Sequence, residues 1–406
     1  MKIKDKLANL YTIRSDVDLK KSRRKQSTPS DSNTIPGFDF FKNSLSKSFN
    51  STSTFLKDCC TSATEKAKSL QRGISLSKVK RKTEVLKANI QAFTTSEPQI
   101  YDRQFESRAY RGSRTRDYRL VIPSKVSSHP TKPVPLVLVL HGCKQDHLDI
   151  EHISEFSKLA EKEGFIVVYP FITSYAGLRF RNCWGWWMRS QREAGSGEVE
   201  DLHQLILELC EEFPVDQNRI HVTGLSSGAG MTVALMVTRN SLIASGAPVA
   251  GVCYGETARA INLMGNFVQP GFQSVEESRS SMTEALEDPQ RPIPILITHS
   301  KQDGTVHFQS GENLRDTWAQ AYGIDTQHPA ASKFGQTKGC QWHFESFNYP
   351  KSYGSESGKS RTLIETLWLD GPDHGWYGGE KGDFSYPDAP NISEQIWSFF
   401  KSHPKQ

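Results

Sequence analysis

The chain has 406 residues, 36% of them hydrophobic and 23% charged, with 29 Gly and 20 Pro spread along it. It can bury a sizeable core, and wholesale disorder, collagen and coiled coil are excluded. Apolar runs such as Leu136 to Leu140 fall far short of the roughly 20 residues that a membrane-spanning helix needs, and the net charge of +5 hides an asymmetry, since residues 1–100 carry 20 Lys+Arg against 9 Asp+Glu and the remainder 30 against 36.

The basic quarter comes first in chain order. Residues 1–56 are rich in Ser, Thr, Lys and Asn and contain the cluster Lys20-Lys21-Ser22-Arg23-Arg24-Lys25, a composition that predicts a tail or linker. From about Lys57 to Phe93 the residues favour helix, and Val79, Leu86, Ile90 and Phe93 fall on one helical face. That face packs on the main domain in the simplest reading; surface or nucleic-acid binding by the basic side is the alternative. No nucleic-acid fold accompanies the cluster, so specific nucleic-acid recognition is not expected. The segment lacks an apolar centre and a small-residue cleavage site, so it does not read as a secretory signal. The expectation is a cytoplasmic protein, with export by a route without a cleaved signal as the alternative. The expected organisation is a partly disordered, partly helical extension over 1–100 and one large domain over 101–406.

From Tyr101 onward short apolar runs alternate with helical patterns, as a parallel sheet with crossover helices requires. Strands are predicted at Tyr118–Ile122, Pro135–His141, Phe165–Pro170, Ile220–Gly224, Ala247–Val252, Ile293–His299, His343–Tyr349 and Thr362–Leu369. Helical stripes run through Ile153, Phe156, Leu159 and Ala160, and through Val199, Leu202, Leu205, Ile206, Leu209 and Phe213. Ile172–Gly197 and Gly255–Pro292 break the rhythm and are long enough to be loops over a site. The fold class is α/β, a mostly parallel sheet with helices on both faces.

Within this pattern Gly224-Leu225-Ser226-Ser227-Gly228 follows an apolar strand and precedes the helix-compatible run Met231–Thr238. A G-x-S-x-G at a strand-to-helix corner lifts the central hydroxyl out of the sheet, with small neighbours letting the chain fold back. Ser226 is therefore the candidate nucleophile. A serine hydroxyl needs a base, and the base an orienting acid, in the chain order Ser, Asp/Glu, His for this architecture. Asp303 lies just past the strand ending at His299, and His374 in the Gly-rich segment after the strand ending at Leu369. Asp370 and Asp373 are too close in sequence to His374 to orient it. Acyl transfer further needs amide donors aimed at an oxyanion; the N–H of Ser227 and, after the early strand, that of Cys143 in His141-Gly142-Cys143-Lys144-Gln145 are the candidates. His141 reads as a packing residue of that loop. Gly354–Ser360 resembles a phosphate-binding loop, but it has one residue too few between its glycines and precedes a strand, so a hairpin turn is expected.

Taken in order, Tyr118–Pro123, His141–Asp146, Cys183-Trp184-Gly185-Trp186-Trp187, Gly224–Gly228 and Asp373–Gly379 resemble the polyhydroxybutyrate depolymerase family of esterases, related to feruloyl and acetylxylan esterases, over roughly residues 105–400. The resemblance implies an α/β-hydrolase fold and a serine esterase with Ser226, Asp303 and His374 as triad, and it adds neither metal nor organic cofactor. Its partners would be an ester or polyester, with granule or membrane contact through the basic extension. The readings are a polyhydroxybutyrate depolymerase-like esterase for short-chain hydroxyacid polyester or oligomers, a feruloyl or acetylxylan-type carbohydrate esterase, or a non-catalytic docking protein. Oligomeric state is not fixed. The family commonly has Ala at Ser227 and Asn at Gly185, so the pocket differs while the chemistry survives. The resemblance also implies a Cys143–Cys183 disulfide, against which a reducing cytoplasm favours free buried thiols. The seven cysteines, with no CxxC pair, leave room for one or two bridges and indicate no zinc site. Trp184, Trp186, Trp187 and Trp376 are either core residues or an apolar wall of the cleft favouring short, neutral acyl chains.

Overall fold

A computed structural model describes residues 97–128, 132–172, 181–260, 271–350 and 361–405. All belong to the compact unit Ser75–Gln406. The basic extension up to residue 96, its helical face from Val79 to Phe93 and the turn expected at Gly354–Ser360 lie outside the described residues, as do parts of both long loops.

The sheet starts from β3 (Val134–Leu140), whose seven residues Val-Pro-Leu-Val-Leu-Val-Leu are all buried. Such a run without polar alternation belongs at the centre of a parallel sheet covered on both faces. Leu136, Leu138 and Leu140 point into one core layer, while Val137 and Val139 point into the other, as the two-residue period of a strand demands. Around β3 stand β4 (Ile166–Pro170), β5 (Val215–Leu225), β6 (Ser245–Val249), β7 (Ile295–Ser300) and β10 (Thr362–Asp370), all parallel to one another. The margins are antiparallel: β1 (Gln99–Phe105) and β2 (Arg116–Ile122) flank β4, and β8 (Ala331–Thr337) and β9 (Cys340–Asn348) flank β10. The spatial order of the ten strands is β1-β2-β4-β3-β5-β6-β7-β10-β9-β8.

Short helices α1 (Ser124–Ser128) and α4 (Arg189–Arg192) lie in connections. One core layer takes the apolar faces of α5 (Gly197–Glu212), α6 (Ser227–Thr238), α7 (Val275–Ala285) and α8 (Gln309–Tyr322); the other takes α2 (His147–Ser154), α3 (Phe156–Glu163) and α9 (Ile392–Ser402). Two strands carry no apolar signal and were not expected. β1 alternates half-buried and exposed residues, and β8 is exposed along most of its length; both are edges, where pairing rather than burial makes the strand. The stripe from Ile153 to Ala160 is split between α2 and α3 by Glu155 at φ 54°, a left-handed break that leaves both pieces facing the same core.

The order β4-β3-β5 places the site. The chain leaves β3 toward β4 on one side and returns as β5 on the other, so the carboxyl ends of β3 and β5 flank the crevice where ligands bind in open α/β sheets. Leu140 and Gly224 are register partners, so the loop after β3 and the corner after β5 start side by side. At the far side Ser300 pairs with Leu369, and the loops after β7 and β10 leave the sheet together.

Candidate active site

Ser226 caps α6 at φ 57°, ψ −115°, with no side-chain capping bond. A non-glycine residue there is strained, and the neighbours explain how it is accommodated. A Cβ on Gly224 would lie 2.7 Å from the Leu140 carbonyl oxygen, and one on Gly228 would collide with the carbonyls of Leu140 and His141. Glycine at both positions lets the corner press against β3. The N–H of Ser226 donates to Val249 O at 2.9 Å, tying the corner to β6, while the N-terminal end of α6, with its partial positive charge, sits beneath the serine.

Asp303 and His374 meet as expected from their places after β7 and β10: His374 Nδ1 lies 2.7 Å from Asp303 Oδ2. The other carboxylate oxygen accepts from the amides of Thr305 at 2.9 Å and Val306 at 2.7 Å. Burial pushes the Asp303 carboxyl up, but its contacts with His299 and His374 outweigh burial and hold it well below the usual carboxylate range. Asp303 is thus an ionised, fixed partner for the imidazole. Asp373 stitches the two loops together, its Oδ1 accepting from Gly304 N at 2.8 Å and His374 N at 2.7 Å, and Ser300 Oγ donates to Pro372 O.

The expected sequence order missed His299. Its buried ring holds Nε2 2.8 Å from Val306 O and 3.5 Å from Asp303 Oδ2. It therefore buttresses the acid at Oδ2, the same oxygen that His374 approaches. The only sequence signal was its place at the end of a predicted strand, shared with many structural histidines.

The oxyanion side can be read by accounting for amides. In the loop after β3, Gly142 N donates to Gln145 Oε1 at 2.8 Å, Lys144 N to Arg181 O at 2.5 Å, and Gln145 N to Gly142 O at 3.4 Å. Cys143 N is the amide of this stretch with no acceptor among the described residues. Ser227 N, the first amide of α6, is likewise one of the donors that a helix start leaves unpaired. The buried Ser227 hydroxyl has no hydrogen-bond partner among the described residues, so this residue offers its backbone and not its side chain. A Cβ on Gly142 would stand 3.5 Å from Ser226 Cβ, a measure of how closely the loop approaches the corner. His141 is a packing residue: its Nε2 accepts from Ile172 N at 3.2 Å, its Nδ1 faces Gly142 O at 2.8 Å, and burial lowers its pKa to about 4. Cys143 and Cys183 form a disulfide, Sγ–Sγ 2.12 Å, fastening this loop to the segment at 181–187.

Ser226, Cys143 and His374 line one cavity of about 110 Å³, together with Lys144, Arg181, Leu225, Thr305 and Phe384. None of the four tryptophans is among its lining residues, which corrects the wall reading. Trp184 and Trp376 are fully buried, Trp186 nearly so, and Trp187 packs against the same core. Their surroundings give the reason. Trp186 lies against Gly230, where a Cβ would approach its ring to 2.6 Å; Trp184 sits 5.5 Å from the His141 ring; Trp376 donates to Ser393 Oγ at 3.1 Å and meets Phe156 edge-on. A large ring anchors α6, the oxyanion loop and the His374 loop more favourably from inside the core than exposed at a cleft. Among the described residues no group of three His, Cys, Asp or Glu side chains is disposed to hold a metal ion.

With this geometry in hand, the chain compares with known proteins as follows. Residues 117–318 match the family described as esterase PHB depolymerase, a span that includes Ser226 and Asp303 and ends before His374. Poly(3-hydroxyalkanoate) depolymerase C of Paucimonas lemoignei is 30% identical over 243 residues, 59% of this chain and 55% of that protein; the chain thus spans about half of that relative's length. Acetylxylan esterase A of Aspergillus oryzae is 27% identical over 234 residues, 55% of this chain and 72% of that protein. Among solved structures, an acetyl xylan esterase from Aspergillus awamori superposes with a TM-score of 0.51 at 19% identity, covering 68% of this chain and 94% of the other, a likeness that establishes the α/β-hydrolase fold. Over residues 117–318, just under half of its length, the chain matches the esterase PHB depolymerase family, and the relatives compared are named as a poly(3-hydroxyalkanoate) depolymerase and an acetylxylan esterase.

Proposed function

We propose that the protein is a serine esterase that hydrolyses carboxylic esters through Ser226, His374 and Asp303, acting on short-chain hydroxyacid polyester or its oligomers. The observation that carries this reading is the convergence on one cavity of a strained helix-capping serine and a histidine whose far nitrogen is held by a buried, ionised aspartate. Ser226 Oγ attacks the ester carbonyl and its proton passes to His374 Nε2, while the Nδ1–H donates to Asp303 and keeps the imidazole oriented. The amides of Ser227 and Cys143 stabilise the tetrahedral oxyanion, a task that rigid, water-shielded N–H groups do well because they need no reorganisation. Collapse releases the alcohol, protonated by His374; water activated by the same histidine then frees the acid and restores Ser226.

The hydroxyacid reading draws on the match to the depolymerase family and on the cavity of about 110 Å³ that Ser226 and His374 line together. Steady-state hydrolysis of acetyl, feruloyl and 3-hydroxybutyrate esters by the wild type and by Ser226→Ala tests it. Turnover favouring the hydroxybutyrate esters, abolished in the variant, is expected. Preference for acetylated or feruloylated sugars would move the substrate to a carbohydrate, and undiminished turnover in the variant would remove the mechanism.

A further inference from the structure

Two buried side chains of the loop after β3, His141 and Gln145, take no part in the proton and acyl transfers, yet both bond to the glycine between them and the oxyanion donor. The tautomer of His141 follows from its neighbours. Ile172 N is a donor and lies 3.2 Å from Nε2, so Nε2 carries no proton; the ring N–H is on Nδ1 and donates to Gly142 O at 2.8 Å. Burial keeps the ring neutral, lowering its pKa to about 4. The rings of Phe171 and Trp184 pack on it, each with its centroid 5.5 Å away.

Gln145 takes the other polar group of the same glycine. Its Oε1 accepts from Gly142 N at 2.8 Å, its own N–H reaches Gly142 O at 3.4 Å, and its Nε2 reaches Asp383 O, next to Phe384, at 3.5 Å. Gly142 O and the Cys143 N–H belong to one peptide unit. Among the described residues no peptide bond is cis, so the two point in opposite directions. Holding the oxygen therefore turns the Cys143 N–H the other way, on a residue that lines the cavity with Ser226. A peptide unit beside a glycine rotates readily when nothing holds it, and an oxyanion donor is effective only when its direction is set beforehand.

We infer that His141 and Gln145 are positioning residues that aim the Cys143 amide at the oxyanion, His141 by donating to the carbonyl of the same peptide unit and Gln145 by claiming the neighbouring Gly142 amide. This inference rests on the hydrolase reading above and deepens it. Neither side chain needs to touch the substrate, because each acts through the backbone.

The test uses the full chain, 4-nitrophenyl butyrate as substrate and an alkylboronic acid as probe, whose adduct with Ser226 places an oxygen where the oxyanion forms. His141→Gln keeps an acceptor for Ile172 N but puts no donor at the Nδ1 position, whereas His141→Asn puts its amide N–H there. His141→Gln is expected to lower kcat about 10- to 100-fold with KM within about threefold, and to weaken the boronate by a similar factor, less than the loss of a whole oxyanion donor. His141→Asn should recover most of both. Gln145→Met, which removes the acceptor for Gly142 N, should show the same split, and it decides the matter should the His141 variants not fold. A merely structural role gives another pattern: fewer active molecules on titration with a phosphonate, each with wild-type kcat and boronate affinity. That pattern overturns the inference, as does boronate affinity unchanged in both His141→Gln and Gln145→Met. If Ser226→Ala hydrolyses the ester as fast as the wild type, the hydrolase reading falls and the positioning role with it. If Ser226→Ala is inactive while His141→Gln and Gln145→Met behave as wild type, the hydrolase reading stands and the positioning role alone falls.

Discussion

The two sides of the cavity are built by different means. Ser226, Asp303 and His374 stand one to four residues past the ends of the parallel strands β5, β7 and β10, and sheet register puts them in place. Lys144, Arg181 and Phe384 come from loops, fixed by one disulfide, one backbone hydrogen bond and left-handed residues. The difference teaches that the proposed reacting groups are positioned by the scaffold that the whole sheet stabilises, while the loops facing them are held by pieces that a single bond can loosen.

The strongest way to break this comparison is to strike the scaffold side. His374→Ala is expected to lower kcat by at least about 10³-fold, and Asp303→Asn by about 10²- to 10⁴-fold, with melting temperature and circular dichroism near wild type. Near-normal turnover in either variant contradicts the assignment.

Next come the buried supports. Trp184→Ala should cost about 3–5 kcal/mol of stability without altering preference for acyl chain length, since the ring faces core and not cavity. Denaturant unfolding together with a chain-length profile checks this; a shifted profile at unchanged stability would restore the wall. Replacing Cys143 and Cys183 by serine opens a loop of 40 residues, a loss of about 4 kcal/mol on chain entropy. It should also lower turnover, because the bridge holds the loop that carries the Cys143 amide, while leaving the Asp303–His374 pair in place. Unchanged turnover in that variant, or in dithiothreitol, would show that the position of the loop does not depend on the bridge.

A smaller effect sharpens the scaffold side through pH. The depressed Asp303 carboxyl means that the folded state binds its proton more weakly than the unfolded state does, so the ionised form contributes stability above about pH 4. That contribution is lost as pH falls below the unfolded value toward the folded one. Asp303→Asn should accordingly flatten the acid limb of melting temperature against pH, whereas parallel limbs in the two proteins would show that His299 and His374 do not hold the carboxylate.

The comparison also explains how much could be read from the sequence. Ser226 announces itself through Gly224 and Gly228, because the corner tolerates no Cβ at either place, and Asp303 and His374 follow because each ends a strand that burial makes apolar. The central strands were visible for the same reason, whereas β1 and β8, exposed edges defined by pairing, left no pattern. His299 was hidden since its contact with Asp303 is made in three dimensions. The tryptophans misled because aromatic density marks area to be buried and does not say on which side of a loop. The backbone contact of Lys144 with Arg181 could not be read from the sequence, since it is made only in the folded chain.

The smallest expected effect and the most direct test concern adjacent residues. Ser227→Ala removes a buried hydroxyl that has no partner among the described residues and keeps the amide, so turnover should stay within about threefold of wild type and stability should hold or rise. Active-site titration then addresses the central claim. The wild type treated with a 4-nitrophenyl alkylphosphonate ester should release one nitrophenolate per chain and carry one phosphonate, located by peptide mass spectrometry on the Ser226 hydroxyl, in parallel with loss of esterase activity. Ser227→Ala should be labelled as fully and Ser226→Ala not at all. A phosphonate on Ser227 or on another residue, or full labelling of Ser226→Ala with the same loss of activity, would contradict the account.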